Sequence, residues 1–419
     1  MILAGTYSTD ITPKLPVDLN GYILRFGETE GVHDPLLANF LYLDASDKRI
    51  LLISLDILTI NNELADQLRT QLSAELEMDK DGILVAAIHT HSAVGSPYLR
   101  NVGKESKEWL EDFRKKIIKG SKIAKESAVY AELEAYHAFS SVAVNRRNPD
   151  RGIDPNTPFI IVKNEEKILA WLINYNCHPV CLKEDNLLIS ADYIYYLREF
   201  LYKKLNSRFP VLFFNGGSGD IDPKRRGSFA EAQLTGEKLG EEILLAYEAY
   251  KGEKLIPDIF YQTQSLEIPY AWYPTLKEAE ENLKRHNEQL ESSETKEDKK
   301  INGAFLIWAE EILDRVKNSR VPKALNTEIH YIKLGKVTFL ALPLEIFSSI
   351  SLKTRKKINN PFCFIVSYGN GYSGYLADKA AYHEGGYEVE QWHKYAGILP
   401  QVSNSEDIFF EALDKLREQ

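Results

Sequence analysis

Three cysteines in 419 residues leave one without a partner and cannot frame a disulfide-rich secreted scaffold. The first residues, through Tyr7, carry no basic region leading into an apolar core, so no secretion signal is read. Scarce cysteine and no signal together point to a reducing compartment, the cytoplasm. Nowhere does the chain approach the ~20 consecutive apolar residues of a membrane helix, so no transmembrane segment is expected. Long basic runs are also missing. With 51 basic against 61 acidic residues and a net charge of -10, the composition argues against nucleic acid as a partner. The glycine-rich stretch at 215–219 is not followed by Gly-Lys-Ser/Thr, which excludes a phosphate-binding P-loop.

What is present is a chain 44% hydrophobic, enough for a large core. Apolar runs at 50–55, 83–88, 159–162, 168–173, 211–214, 337–342 and 362–366 read as strands. Several are apolar at nearly every position, as strands covered on both faces are. Helical patterns lie between them. Leu64, Leu68, Leu72 and Leu76 recur every four residues behind a candidate N-cap at Asn61-Asn62, and 109–123 and 230–245 also read as amphipathic helices. Interleaved strands and helices predict an α/β fold, a layered domain with mixed β-sheets flanked by helices. Residues 275–319 differ in composition. A Glu/Lys-rich helical pattern, a turn, and a second helix around Phe305-Leu306-Ile307-Trp308 read as a helical hairpin inserted into a single domain spanning 1–419.

Five loci carry candidate chemistry. His89 and His91, in His89-Thr90-His91-Ser92, follow the run 83–88. Two residues apart on a strand face the same way, so the pair reads either as a metal site, since imidazole is a common zinc ligand, or as two hydrogen-bonded strand-end histidines. His178 follows the run 168–173, and Pro179 disfavours a continuing helix there. Cys177 and Cys181 flank it, as a Cys/His zinc set or as small buried residues. Asp220 and Asp222 sit in Gly219-Asp220-Ile221-Asp222-Pro223, facing a cavity or capping the next element. Glu345, between Leu344 and Ile346, is costly to bury unpaired, which a cation or a helix cap would resolve. Finally, Tyr368-Gly369-Asn370-Gly371-Tyr372-Ser373-Gly374-Tyr375, with Tyr387-Glu388 beyond, reads as an aromatic-lined polar pocket, as surface turns or as core aromatics.

Taken in order, Asp10-Ile11-Thr12-Pro13, Gly31-Val32-His33-Asp34, His89-Thr90-His91-Ser92, Asn145-Arg146, His178-Pro179, the Gly219–Pro223 motif, Pro343-Leu344-Glu345, the tyrosine loop and Tyr387-Glu388 resemble the neutral/alkaline non-lysosomal ceramidase family, as a divergent bacterial-type member. The resemblance implies one zinc ion per chain, held by His89, His178, Glu345 and Tyr375. It further implies a catalytic cleft lined by His91, Arg146 and Tyr387, with His33, Asp220 and Tyr372 as substrate-binding positions. Two departures stand out. The family's required serine in Gly-Asp-x-Ser-Pro is Asp222 here, and the chain ends soon after the tyrosine loop, so no C-terminal immunoglobulin-like domain is expected.

Zinc would lower the pKa of a bound water to ~7 for attack on an amide carbonyl. Arg146 and Tyr387 would orient the acyl group or oxyanion, and Asp222 would act as general base or acid. The expected function is a zinc-dependent hydrolase of an N-acyl bond in a small-molecule or lipid-like amide, not specific for ceramide. The alternatives are a metal hydrolase of a sugar, lactone or cell-wall fragment, and a non-catalytic metal- or ligand-binding protein. Asp222 in place of serine favours these alternatives, while the complete ligand set opposes the last.

Overall fold

Each of the seven apolar runs is a strand in the computed structural model, which describes residues 2–45, 47–95, 99–165 and 167–418, the side chain of Glu418 aside. Two sheets account for them. Among the described residues the larger sheet runs Val211–Asn215, Lys167–Tyr175, Asn156–Asn164, Val129–Phe139, Ile2–Asp10, Leu37–Asp44, Arg49–Leu55, Ile83–Ala87, with Glu253–Lys254 added beside Val129–Phe139. Its two ends are parallel pairs and its middle is antiparallel. The smaller sheet runs Ile259–Pro269, Ala324–Leu334, Val337–Ala341, Cys363–Val366, and its last pair is parallel.

The sheets pack face to face. Leu52, Leu84, Leu212 and Phe214 meet Phe339, Phe364 and Val366 in one buried cluster. This is why the runs are apolar at every position: each strand is covered on its second face too. Over the larger sheet lie Leu64, Leu68 and Leu72 of the helix Asn62–Leu76 and Trp109, Phe113 and Ile117 of Lys107–Glu126. Beside them lie the helices Tyr193–Leu205 and Phe229–Ala249. The first of these helices is capped as expected, the Asn61 side chain accepting from the Leu64 amide. Over the smaller sheet lie Trp308 and Ile312 of the helix Lys296–Lys317, Ile350 of Ser348–Ile358 and Phe409 and Leu413 of Ser405–Glu418. The result is four layers, helix–sheet–sheet–helix, an α/β fold with mixed sheets as the sequence predicts. At residues 276–317, Leu276–Glu291 and Lys296–Lys317 form a helical hairpin, the first helix opened by a capping box of Thr275 and Glu278. Among the described residues, no helix is long and apolar enough to cross a membrane.

Three parallel strand pairs, Arg49–Leu55 with Ile83–Ala87, Lys167–Tyr175 with Val211–Asn215, and Val337–Ala341 with Cys363–Val366, carry His89, His91, His178, Asp220, Asp222, Glu345 and the tyrosine loop beyond their carboxyl ends. That is the crevice in which sheets of this kind take ligands.

Candidate metal centre

His89 and His91 are not on a strand. Ile83–Ala87 ends before them, and His89 adopts a left-handed backbone with φ 70°. The alternation argument is therefore corrected: a chain reversal, not the pleat, brings the two imidazoles together, with ring centroids 4.9 Å apart. The reversal is held because the His89 amide donates to Ile57 O and its Nδ1 lies 2.9 Å from Leu58 O. His178 is fixed in the same manner, with Nδ1 2.6 Å from Ser218 O. Each carbonyl sets the tautomer with the proton on Nδ1 and leaves the Nε2 lone pair for a ligand.

The imidazoles of His89, His91 and His178 place their ligand atoms within 4.8 Å of one another, so this buried group could hold a metal ion. Glu345 completes the cluster. Its Oε2 is 3.1 Å from His178 Nε2 and its Oε1 3.8 Å from His89 Nε2. Burial would raise the Glu345 carboxyl, but His89, the His178 hydrogen bond and Tyr372 overrule it and hold its pKa down at about 2. Burial pushes His89 down to about 3, against the pull of Glu345. Burial, then His89 and His178, pushes His91 well below its ordinary value, and both His91 ring nitrogens are buried without a partner. An anionic carboxylate beside neutral imidazoles is a donor set of the kind a borderline-soft divalent cation takes.

Three tyrosines surround this carboxylate. Tyr375 pairs with Glu345 across the short parallel ribbon Glu345–Ile346/Tyr375–Leu376, and its hydroxyl receives Arg146 Nη2 at 3.2 Å. Tyr372 donates to Glu345 Oε1 at 2.5 Å and accepts from Trp392 Nε1 at 3.1 Å. The sequence reading gave Tyr368 no role, yet its hydroxyl is 3.1 Å from Glu345 Oε2 and its ring stacks on His89 at 3.9 Å. The one sequence signal was its place in the tyrosine loop.

Arg146 follows the strand Ala143–Asn145, which pairs with Ile221–Pro223. Its guanidinium donates to Gly219 O at 2.7 Å and Glu388 Oε1 at 3.1 Å, with Nη1 3.5 Å from Asp222 Oδ1. The second Asp222 oxygen accepts from Arg226 Nη1 at 2.5 Å. Asp222 is thus held between two arginines. Asp220 turns away from the cluster and accepts from Asn145 Nδ2 and the Ser348 amide at 2.6 and 2.7 Å. Tyr387 packs edge-on to Tyr375 at 6.3 Å. His33 is elsewhere. It stacks on Phe229 at 3.8 Å and bonds Asp34 and Tyr196, none of which belongs to the cluster. Cys177 and Cys181 lie in the core beneath the helix Tyr193–Leu205, so the Cys/His ligand alternative is not what the fold assembles.

This architecture has solved counterparts. A neutral ceramidase from Pseudomonas aeruginosa superposes with a TM-score of 0.75 at 18% identity, covering 100% of this chain and 74% of that one. A ceramidase complexed with C2 gives 0.75 at 15% identity, covering 100% and 75%. No family model and no curated protein matches the sequence. What is shared is the ceramidase-like fold.

Proposed function

We propose that the chain is a metal-dependent hydrolase that cleaves an amide bond. The observation that carries this reading is the cluster of His89, His91 and His178, with ligand atoms within 4.8 Å of one another, against the Glu345 carboxylate. In this reading His89, His178, Glu345 and Tyr375 hold one zinc ion. Bound there, zinc supplies Lewis-acid polarisation of a carbonyl and a water whose pKa falls to ~7. Tyr368 and Tyr372 hold the two Glu345 oxygens and keep the carboxylate aimed. His91, neutral and with both nitrogens free of protein partners, donates a proton from one nitrogen and accepts one at the other. Arg146 reaches the site beside the Tyr375 hydroxyl and orients the carbonyl oxygen of the scissile bond. Tyr387 closes the cleft next to Tyr375. Asp222 is then a positioning residue, because each of its oxygens is engaged by a guanidinium. This reading gives Asp222 a positioning role in place of the general base or acid expected from the sequence.

The amide class rests on likeness to two ceramidases. Ceramide itself is not part of the proposal, since the family's serine is Asp222 here. Elemental analysis should find about one metal per chain, and hydrolysis of a panel of N-acyl substrates should stop on chelation and return with zinc. A folded His89→Ala/His178→Ala double variant should lose the metal. Unchanged metal content in that variant would sink the reading.

A further inference from the structure

A cavity of about 630 Å³ opens next to the cluster, lined among others by Leu19, Tyr22, Arg25, Phe26, Lys104 and Lys300. Tyr22 is the wall it shares with the imidazoles, its ring 4.7 Å from that of His91. The contact is tight on this side: a Cβ added at Gly21 would stand 2.6 Å from His91 Cγ.

The floor of this cavity carries a charge without a counter-ion. Arg25 is only 4% exposed. Its Nη1 donates to Asn20 O at 3.2 Å and His91 O at 2.7 Å, and its Nη2 donates to Lys183 O at 3.3 Å. Its Nε is buried with no partner, and among the described residues no carboxylate lies in ion-pair range of it. Three carbonyls solvate the guanidinium but leave its charge uncompensated, and an unpaired buried charge is costly. Burial accordingly pulls its pKa down to about 10, with Glu184 and Asp185 acting only through space. Lys300 adds a second cation, donating to Arg25 O and standing 4.7 Å from the Phe26 ring centroid. Of the acids that line the cavity, Asp18 accepts from the Lys104 amide and acts on Lys300 through space, and Glu28 is exposed.

We infer that the substrate carries an anionic group, with carboxylate- or phosphate-type oxygens, on an arm that lies in this cavity over Arg25 and against Lys300. This rests on the amide-hydrolase reading and gives it a substrate class: an anionic N-acyl compound in place of a neutral sphingoid amide. A cationic cavity selects by charge complementarity and disfavours a neutral competitor that leaves Arg25 unpaired.

The test uses the zinc-loaded protein and matched amides whose terminal group is a carboxylate, a phosphonate or the corresponding carboxamide. An anionic terminus should raise kcat/KM at least tenfold over the carboxamide, and the larger of the two increases identifies the anion. Lys300→Gln should lower that ratio several-fold through the KM of the anionic amide, and Arg25→Gln should lower it further. Equal cleavage of both anionic amides and the carboxamide, or a ratio untouched in both Lys300→Gln and Arg25→Gln, overturns the inference and leaves the hydrolase reading standing. If no amide is cleaved, the hydrolase reading falls, and calorimetric titration with glutarate and phenylphosphonate decides the inference alone. Binding weakened tenfold by Lys300→Gln supports it, and no binding, or binding that Lys300→Gln leaves unchanged, overturns it.

Discussion

Tyr372 shows how much of the candidate site lies in groups that would touch no metal. Its hydroxyl donates to Glu345 at 2.5 Å, accepts from Trp392 Nε1, and its amide is pinned by the Asn62 side chain at 2.8 Å. Removing the hydroxyl frees one carboxylate oxygen to rotate, and losing a partner of this type costs 10–100-fold in metal affinity. Tyr372→Phe is therefore expected to bind zinc about 10–100-fold more weakly in a competition titration against a chelator, with an unchanged circular-dichroism spectrum. An unaltered affinity would reduce Tyr372 to a wall of the cleft. The same scale shows what residue types can and cannot tell. Histidine, glutamate and tyrosine at 89, 178, 345 and 375 stand out as a set only through the family resemblance, and the structure brings His89 and His178 against Glu345. The left-handed φ of 70° at His89 and 58° at Tyr368, which turn those rings onto one another, has no signature in side-chain pattern. Asp222 was legible as a carboxylate near the site, but its two arginines come from positions 146 and 226, and the second gave no reason for notice.

Among the elements, the strands that were legible are those buried on both faces, because burial there makes every residue apolar. Val129–Phe139 and Ile259–Pro269 escaped notice because exposed and buried residues mix along them without a clean alternation. The helical hairpin was legible from charge and period, but its attachments were not. Trp308 is 2% exposed and donates Nε1–H to Ile398 O at 2.8 Å. Arg315 reaches Gly397 O, and Phe305 packs on Tyr395 at 5.2 Å, which in turn faces Tyr387. The hairpin thus holds down the segment that carries Tyr387, while none of its own side chains enters the imidazole cluster. Trp308→Ala should cost about 3–5 kcal/mol of stability, as large core deletions do, measured by urea unfolding. Metal content should stay at the wild-type value below the transition. Loss of metal from the folded variant would show that the hairpin belongs to the centre itself.

For the molecule as a whole, the two sheets must stay in register, because each supplies part of the cluster: His89 and His178 from one, Glu345 and Tyr368 from the other. His330 is one buried tie between them. It stands on the strand Ala324–Leu334 of the smaller sheet and is 1% exposed. Nε2–H donates to Asp81 O at 2.7 Å, and Nδ1 accepts from Asn370 Nδ2 at 2.8 Å. Asn370 in turn grips Val85 by its side-chain oxygen and its amide, on the strand that leads to His89. A proton on Nδ1 would set two donors against each other, and the amide cannot flip without releasing Val85. Burial, then the charge of Arg69, lowers the His330 pKa to about 4, against ~6.5 in the unfolded chain. The native state therefore favours the neutral ring. Its contribution is complete above pH ~6.5 and is lost as the pH falls toward 4, by about 3 kcal/mol in all. Chelated protein unfolded in urea at a series of pH values should lose stability across that window. In His330→Gln, which cannot protonate, the loss should be smaller by about 3 kcal/mol, the titrations of His89 and His91 being common to both proteins. Parallel losses in the two would show that the tie is insensitive to pH and that acid loosens the sheets elsewhere.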